Sequence, residues 1–82
     1  METNRIRKGE KVVVDIFENA TKVGSYQTTD AHDIEEAIRE AYRSSDRYAD
    51  PMQDYVFKVT DSSTGTESRY RINAHGNIKL IV

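Results

Sequence analysis

The residues best suited to acid–base chemistry or metal binding gather at the start of one predicted helix. His32 lies between Asp30 and Asp33, and the carboxylates continue at helical spacing with Glu36 and Glu40. A metal site needs three or four converging ligands, and paired carboxylates act as acid and base only where a pocket separates their pKa values. Spacing along one helix provides neither condition. We therefore expect an acidic, solvated helix face formed by Asp33, Glu36 and Glu40, with no catalytic residue, metal ion or cofactor.

The other candidates for chemistry lie apart from this cluster. His75 is in the turn AHGN, and the segment STGT contains one glycine without the lysine that follows in a phosphate-binding loop. The chain has no cysteine, which removes a thiol nucleophile, a disulfide and a cysteine-based zinc site. The sequence thus predicts a protein that is not an enzyme, and it indicates no small-molecule substrate.

Size and charge narrow the function classes further. The chain has 82 residues, with 12 basic and 14 acidic side chains and a net charge of −2, whereas a general polyanion binder carries a clear basic excess. The charge is uneven, because residues 29–44 carry two basic and five acidic groups and residues 55–82 carry four basic and two acidic groups. The longest apolar runs are a few residues, which predicts a cytoplasmic protein without a signal peptide or contact with a membrane.

Hydrophobic periodicity predicts the element order β-β-α-β-β-β. Alternating apolar residues indicate strands, and turn residues in NATK, DSSTGT and AHGN separate them. We expect residues 1–9 to be a flexible N-terminal segment and residues 10–82 to be a single small domain. The predicted strands are 10–18, 23–29, 55–60, 67–73 and 78–82, and the predicted helix is 31–44.

The helix must cover one face of the sheet with its apolar stripe, which predicts an α+β fold of two layers, with one helix packed on one face of a mainly antiparallel sheet. Thr29 or Asp30 is the expected N-cap. The stripe consists of Ala31, Ile34, Ala37, Ile38, Ala41 and Tyr42. The strand residues expected beneath it are Val12, Val14, Ile16, Phe57, Val59, Tyr70, Ile72, Ile78 and Leu80.

The other side of the sheet, which we call the open face, is predicted to be basic. In SRYRIN, Arg69 and Arg71 alternate with Tyr70 and Ile72. Ile72 is the most apolar of these residues, so Tyr70 should point toward the helix and the arginines away from it. Long cationic side chains commonly cover a solvated sheet face, and the same surface is a candidate binding face. Its expected members are Phe17, Tyr26, Lys58, Arg69, Arg71 and Lys79.

Two functions fit this arrangement. The first is a small non-catalytic interaction or accessory protein that binds a protein partner or self-associates as a homodimer. If the last strand, 78–82, lies at a sheet edge, its unpaired backbone invites strand addition. The alternative is a nucleic-acid-binding module that uses the basic sheet face. That function needs stacking rings and cations on one surface, which the strand 67–73 alone does not supply.

Overall fold

The computed structural model describes residues 9–46, 49, 51, 54–62, 64–73 and 75–81. Apart from Gly9, the segment 1–9 that we expected to be flexible lies outside the described residues. The elements are β1 Val12–Glu18, β2 Thr21–Thr28, α1 Ile34–Ser44, β3 Val56–Asp61, β4 Thr66–Ile72 and β5 Ile78–Leu80. The sheet order is β2-β1-β3-β4-β5, and every neighbouring pair is antiparallel. The predicted α+β class, with one helix on one face of an antiparallel sheet, is confirmed.

Helix α1 begins three residues later than predicted, with Asp33 as its N-cap in place of the expected Thr29 or Asp30. The Asp33 carboxylate accepts a hydrogen bond of 2.8 Å from the backbone N–H of Glu36, which satisfies one of the free amides of the first turn. The earlier start was wrong because Ala31 is buried although it lies before the first helical residue, so the apolar stripe is longer than the helix itself. No helix in the part of the chain that the structure describes is long and apolar enough to cross a membrane.

A two-residue turn joins β1 and β2. Asn19 and Ala20 both have positive φ, at 51° and 70°, and they leave Glu18 paired with Thr21. Positive φ at both central residues is the mark of a type I′ turn, whose twist matches that of the flanking strands. The turn therefore fixes the register at the start of the hairpin.

A β-bulge then changes that register. Phe17 pairs with Lys22, but the next residue of β1, Ile16, pairs with Gly24, so Val23 is an extra residue in β2. Because side chains alternate between the faces, one inserted residue places every later side chain of β2 on the face opposite to the one that uninterrupted pairing would give.

Strands β3, β4 and β5 form the predicted antiparallel meander. Gly65, with φ of 74°, closes the first turn by donating its N–H to Asp61 O at 2.7 Å. Gly76, with φ of 86°, closes the second turn by donating to Asn73 O at 3.0 Å. Glycine adopts this left-handed backbone without the steric cost that other residues incur.

The core lies between α1 and the sheet, as the apolar pattern predicts. Leu80 is the exception: it lies on the helix side through its pairing with Tyr70, yet it is 60% exposed. Since α1 packs chiefly against β1, β2 and β3, strand β5 extends beyond the cover of the helix. The buried apolar residues are Val12, Val14, Ile16, Ala31, Ala37, Ile38, Ala41, Tyr55, Phe57, Val59, Tyr70 and Ile72.

Candidate binding surface on the open face

The strand register arranges the open face in rows that run across the sheet. One row begins with Ser25 on β2 and continues with Asp15, Lys58 and Arg69 on β1, β3 and β4. We call it the Asp15 row. Asp15 lies directly opposite Lys58, which allows these two side chains to neutralise each other, and Lys58 is followed in the row by a second cation, Arg69.

The next row, which we call the Arg71 row, differs in its charge pattern. It consists of Lys22, Phe17, Val56, Arg71 and Lys79, one from each strand in sheet order. Its centre is apolar and its two ends are cationic. The row contains no acidic residue, so any neutralising group must come from outside it.

Asp15 neutralises the β2 side of the open face. It is only 8% exposed although it lies on the solvated side of the sheet, because neighbouring side chains fold over it. Lys22 Nζ and Lys58 Nζ lie 3.5 and 3.8 Å from its carboxylate oxygens, and Ser25 Oγ donates a hydrogen bond of 2.9 Å. A nearly buried carboxylate requires such partners. These two lysines are therefore already engaged within the protein.

Phe17 is the one aromatic ring that the described strands place on the open face, and Lys58 lies over it. The Nζ atom of Lys58 is 5.7 Å from the ring centroid, which is within the range of a cation–π interaction. The same ammonium group thus contacts both the ring and the carboxylate of Asp15. A nucleic-acid base would have to displace Lys58 in order to stack on this ring.

Arg69, Arg71 and Lys79 form the other end of the open face, and we call them the cationic patch. All three are exposed, and no carboxylate among the described residues forms an ion pair with them. The register sets Arg71 directly opposite Lys79, and Lys58 opposite Arg69. Like charges in directly opposed positions destabilise a sheet. Among the described residues of the open face, the patch is therefore the part that lacks an anionic partner.

Tyr26 does not belong to the open face, so its predicted place there is wrong. It pairs with Val14 on the core side, and its hydroxyl donates a hydrogen bond of 3.1 Å to Glu40 Oε1 on α1. Partial burial, and then the hydrogen bond and charge of Glu40, raise the pKa of Tyr26 above its ordinary value. Regular pairing from the type I′ turn would set Tyr26 opposite Val13 on the open face, but the extra residue Val23 reverses this orientation.

Lys22 occupies the open face instead, and it is absent from the predicted members of that face. Its position opposite Phe17 follows from the two-residue turn. Gly24 is the signal that could have revealed the bulge, because glycine inside a strand often marks one. The other predicted members, Phe17, Lys58, Arg69, Arg71 and Lys79, do lie on the open face.

The acidic helix face is engaged in hydrogen bonds within the protein. Asp33 caps α1, Glu40 accepts from Tyr26, and Glu36 accepts from the backbone N–H of His32. That backbone hydrogen bond, with a further contribution from the His32 side chain, lowers the pKa of Glu36 below its ordinary value. All three carboxylates thus have local partners, which makes this face a weaker docking surface than the cationic patch.

The two sheet edges differ in character. Strand β2 is polar along most of its length and is interrupted by the bulge, and both features protect an edge from other strands. Strand β5 is the opposite edge, which meets the condition stated above for strand addition. Leu80 and Ile81, which are 60% and 44% exposed, are the large exposed hydrophobic residues of the described chain. An apolar edge thus lies beside the cationic patch.

The two histidines lie away from this surface. His32 Nδ1 is 3.1 Å from Glu36 Oε1, and His75 is exposed in the turn before β5. At the positions the structure describes, no three His, Asp or Glu side chains come together in a way that could hold a metal ion.

No protein family, curated protein or solved structure matches this chain. The charges and the exposed backbone of the sheet are therefore the features that bear on its function.

Proposed function

We propose that the protein is a small non-catalytic interaction domain that binds an acidic protein partner through the cationic patch. The observation that supports this function best is the opposition of Arg71 and Lys79 on adjacent strands, without a described carboxylate between them. This arrangement is unfavourable for the sheet alone. Carboxylates of a partner relieve the repulsion, and a guanidinium group such as that of Arg71 can bind a carboxylate with two parallel hydrogen bonds.

The charge distribution explains why the partner should be a specific acidic surface. Asp15 engages Lys22 and Lys58, so the uncompensated positive charge of the open face lies on β4 and β5. The whole chain has a net charge of −2, which disfavours general binding to polyanions. A small complementary patch instead favours specificity and rapid association with a matching partner.

Nucleic-acid binding is the second candidate, and the position of Phe17 favours it. The ring lies in the same row as Arg71 and Lys79, so one aromatic group and several cations share a surface. However, Lys58 lies over this ring, and Tyr26 is turned toward the helix. A stacking platform normally offers several accessible rings along a charged groove, so the acidic protein partner fits the surface better.

Self-association by packing the acidic helix face of one copy on the cationic patch of another is less well supported. Asp33, Glu36 and Glu40 each have a hydrogen-bond partner in the same chain. Docking at those carboxylates would compete with the helix cap and with the contact to Tyr26. An external acidic segment carries no such cost.

Two soluble probes test these functions: an oligoglutamate peptide and an oligothymidylate, each titrated by fluorescence anisotropy over a series of salt concentrations. We expect the peptide to bind at low salt and Arg71→Glu to weaken its binding by about tenfold or more, because a charge-assisted hydrogen bond contributes about 1.5–3 kcal/mol. Arg43→Glu is the matched control, since it makes the same charge change at an exposed position of α1. It should leave peptide binding unchanged.

The outcomes separate the candidates. Oligothymidylate binding with a salt slope of about −0.7 per cation contact, lost in Arg71→Glu and without peptide binding, would replace the proposal by nucleic-acid binding. If Arg71→Glu and Arg43→Glu weaken peptide binding equally, the effect comes from the net charge of the protein and the patch is not its cause. Failure of both probes at low salt would overturn the patch as a binding surface.

A further inference from the structure

Among the described residues, strand β5 presents unpaired backbone at the edge of the sheet. Ile81 donates its N–H to Arg69 O at 2.8 Å, which identifies these two residues as a hydrogen-bonded pair. Bonded and non-bonded pairs alternate along antiparallel strands, so Lys79 also directs its backbone groups toward β4. The N–H and C=O groups of Ile78 and Leu80 therefore point away from the sheet, into the position that another strand would occupy.

This edge is held in place before any partner arrives. Arg39 Nη2 on α1 donates a hydrogen bond of 3.0 Å to Gly76 O, in the turn that leads into β5. The side chain of Asn73 accepts from the backbone N–H of Asn77 at 3.0 Å in the same turn. Ile78 packs against the core. A preorganised edge loses less conformational freedom on binding than a flexible segment does.

The side chains along β5 specify what kind of strand would fit. Lys79 points to the open face beside Arg71, whereas Ile78 and Leu80 point to the helix side. A single lysine on a short edge strand would be ordinary protection against unwanted pairing. Here the lysine is accompanied by two exposed apolar residues, Leu80 and Ile81, which protection of an edge does not require.

We infer that β5 accepts an extended segment of a partner protein as a sixth, antiparallel strand, and that this segment alternates acidic and apolar residues. The inference rests on the proposed function and gives its binding mode. A residue opposite Lys79 lies on the open face, where a glutamate or aspartate adds an acidic group beside Lys79 to the row that also contains Arg71. Residues opposite Ile78 and Leu80 lie on the helix side, where apolar side chains cover Leu80. Main-chain hydrogen bonds give such complexes affinity, and the alternate side chains give specificity.

A second copy of this chain is a poorer occupant of the edge. Antiparallel pairing of two β5 strands over their full three-residue length sets Lys79 against its own counterpart. It also brings the two Arg71 side chains into the same enlarged cationic face. Directly opposed like charges disfavour this pairing, whereas an acidic segment turns the same positions into attractive contacts.

The test uses three synthetic peptides with the full chain: one that alternates glutamate and valine, one of the same composition with the glutamates and valines in separate blocks, and oligoglutamate. We expect the alternating peptide to bind at least about tenfold more tightly than the block peptide, because only it can place charge and apolar groups on opposite faces of one strand. N-methylation of the valine amides, which face β5 in antiparallel pairing, should abolish this gain. N-methylation of the glutamate amides should leave it intact.

Hydrogen exchange measured by NMR locates the contact. In the free protein the Ile81 amide should be protected, and those of Ile78 and Leu80 should exchange rapidly. The alternating peptide should protect Ile78 and Leu80. Lys79→Glu should remove that protection, whereas Lys11→Glu, at another exposed lysine, should not.

Each remaining outcome bears on a different part of the inference. If the alternating and block peptides bind equally, and Arg71→Glu still weakens oligoglutamate, strand addition is overturned while the proposed function stands. If no peptide binds, both are overturned. If Ile78 and Leu80 become protected at high protein concentration without peptide, as the sedimentation coefficient rises, the occupant is a second copy and the acidic segment is refuted.

Discussion

Replacing Ala20 with glycine should stabilise the hairpin that positions Lys22 and Phe17 on the open face. Ala20 has φ of 70° in the type I′ turn, a left-handed conformation that glycine adopts freely. The residue is exposed, so loss of its methyl group forfeits little buried surface. The substitution therefore acts mainly on the backbone.

The magnitude follows from two opposing terms. An L-residue in the left-handed region costs about 1–2 kcal/mol, and glycine loses about 0.5–1 kcal/mol more backbone entropy than alanine on folding. The net gain for Ala20→Gly is thus about 0.5–1 kcal/mol. For a domain of this size, that gain raises the melting temperature by about 2–8 °C.

Urea unfolding followed by circular dichroism, together with a thermal melt, measures this gain. The urea midpoint should rise while the slope of the transition stays constant, which shows a change in stability without a change in the surface exposed on unfolding. Asn19→Gly is the control in the same turn; asparagine tolerates the left-handed region, so its replacement should gain less. A lower midpoint for Ala20→Gly, or a larger gain for Asn19→Gly, would refute the assignment of strain to Ala20.

Three further substitutions test contacts of the helix. Tyr26→Phe removes the hydrogen bond to Glu40 and should lower the free energy of unfolding by about 1 kcal/mol. Since the folded pKa of Tyr26 is raised, the stability contributed by this hydroxyl should be fully present below about pH 10 and lost as the pH rises through the folded pKa. Urea unfolding at alkaline pH should show this loss in the original protein and not in Tyr26→Phe. Asp33→Ala removes the N-cap and should cost about 1 kcal/mol, measured by urea unfolding; an unchanged midpoint would contradict the cap. The backbone N–H of His32 lowers the pKa of Glu36, so the stability that this carboxylate contributes should be present above about pH 4.5 and lost as the pH falls through the folded pKa. Glu36→Gln should therefore reduce the loss of stability at acid pH, measured by urea unfolding over a pH series.

The regular parts of the fold could be predicted because their periods are simple. Phe57 and Val59 lie two residues apart and both are buried, as strand alternation requires. Ala37, Ile38 and Ala41 follow helical spacing and are buried on the opposing layer. In these segments the local pattern and the tertiary environment specify the same orientation.

The orientation of Tyr26 could not be predicted from alternation alone, because one extra residue in β2 reverses it. The Tyr26 ring has an acceptable environment in either register. Without the bulge it would lie opposite Val13 on the open face, and with the bulge it lies opposite Val14 under the helix. The hydrogen bond from Tyr26 to Glu40 joins residues of different elements, and sequence spacing carries no information about it. Gly24 marks the place where the pattern changes, but not the direction of the change.

The exposure of Leu80 has a different cause. Its face follows correctly from alternation, whereas its burial depends on how far α1 extends across the sheet. A helix of 11 residues that packs chiefly on β1, β2 and β3 leaves the Leu80 end of the last strand uncovered. The sequence therefore predicts which side a residue faces more readily than whether anything covers it.

The two ends of the open face place similar side chains under different constraints. Lys22 and Lys58 contact a nearly buried carboxylate, so they contribute to the fold, and their loss should be seen as lost stability. Arg71 faces Lys79 across the sheet, and at an exposed position this repulsion costs at most about 1 kcal/mol, which the fold can tolerate. Glutamate in place of Arg71 converts that repulsion into attraction, so stability and binding should change in opposite directions. A residue with a purely structural role cannot produce that opposition, since nothing beyond the fold would depend on its charge.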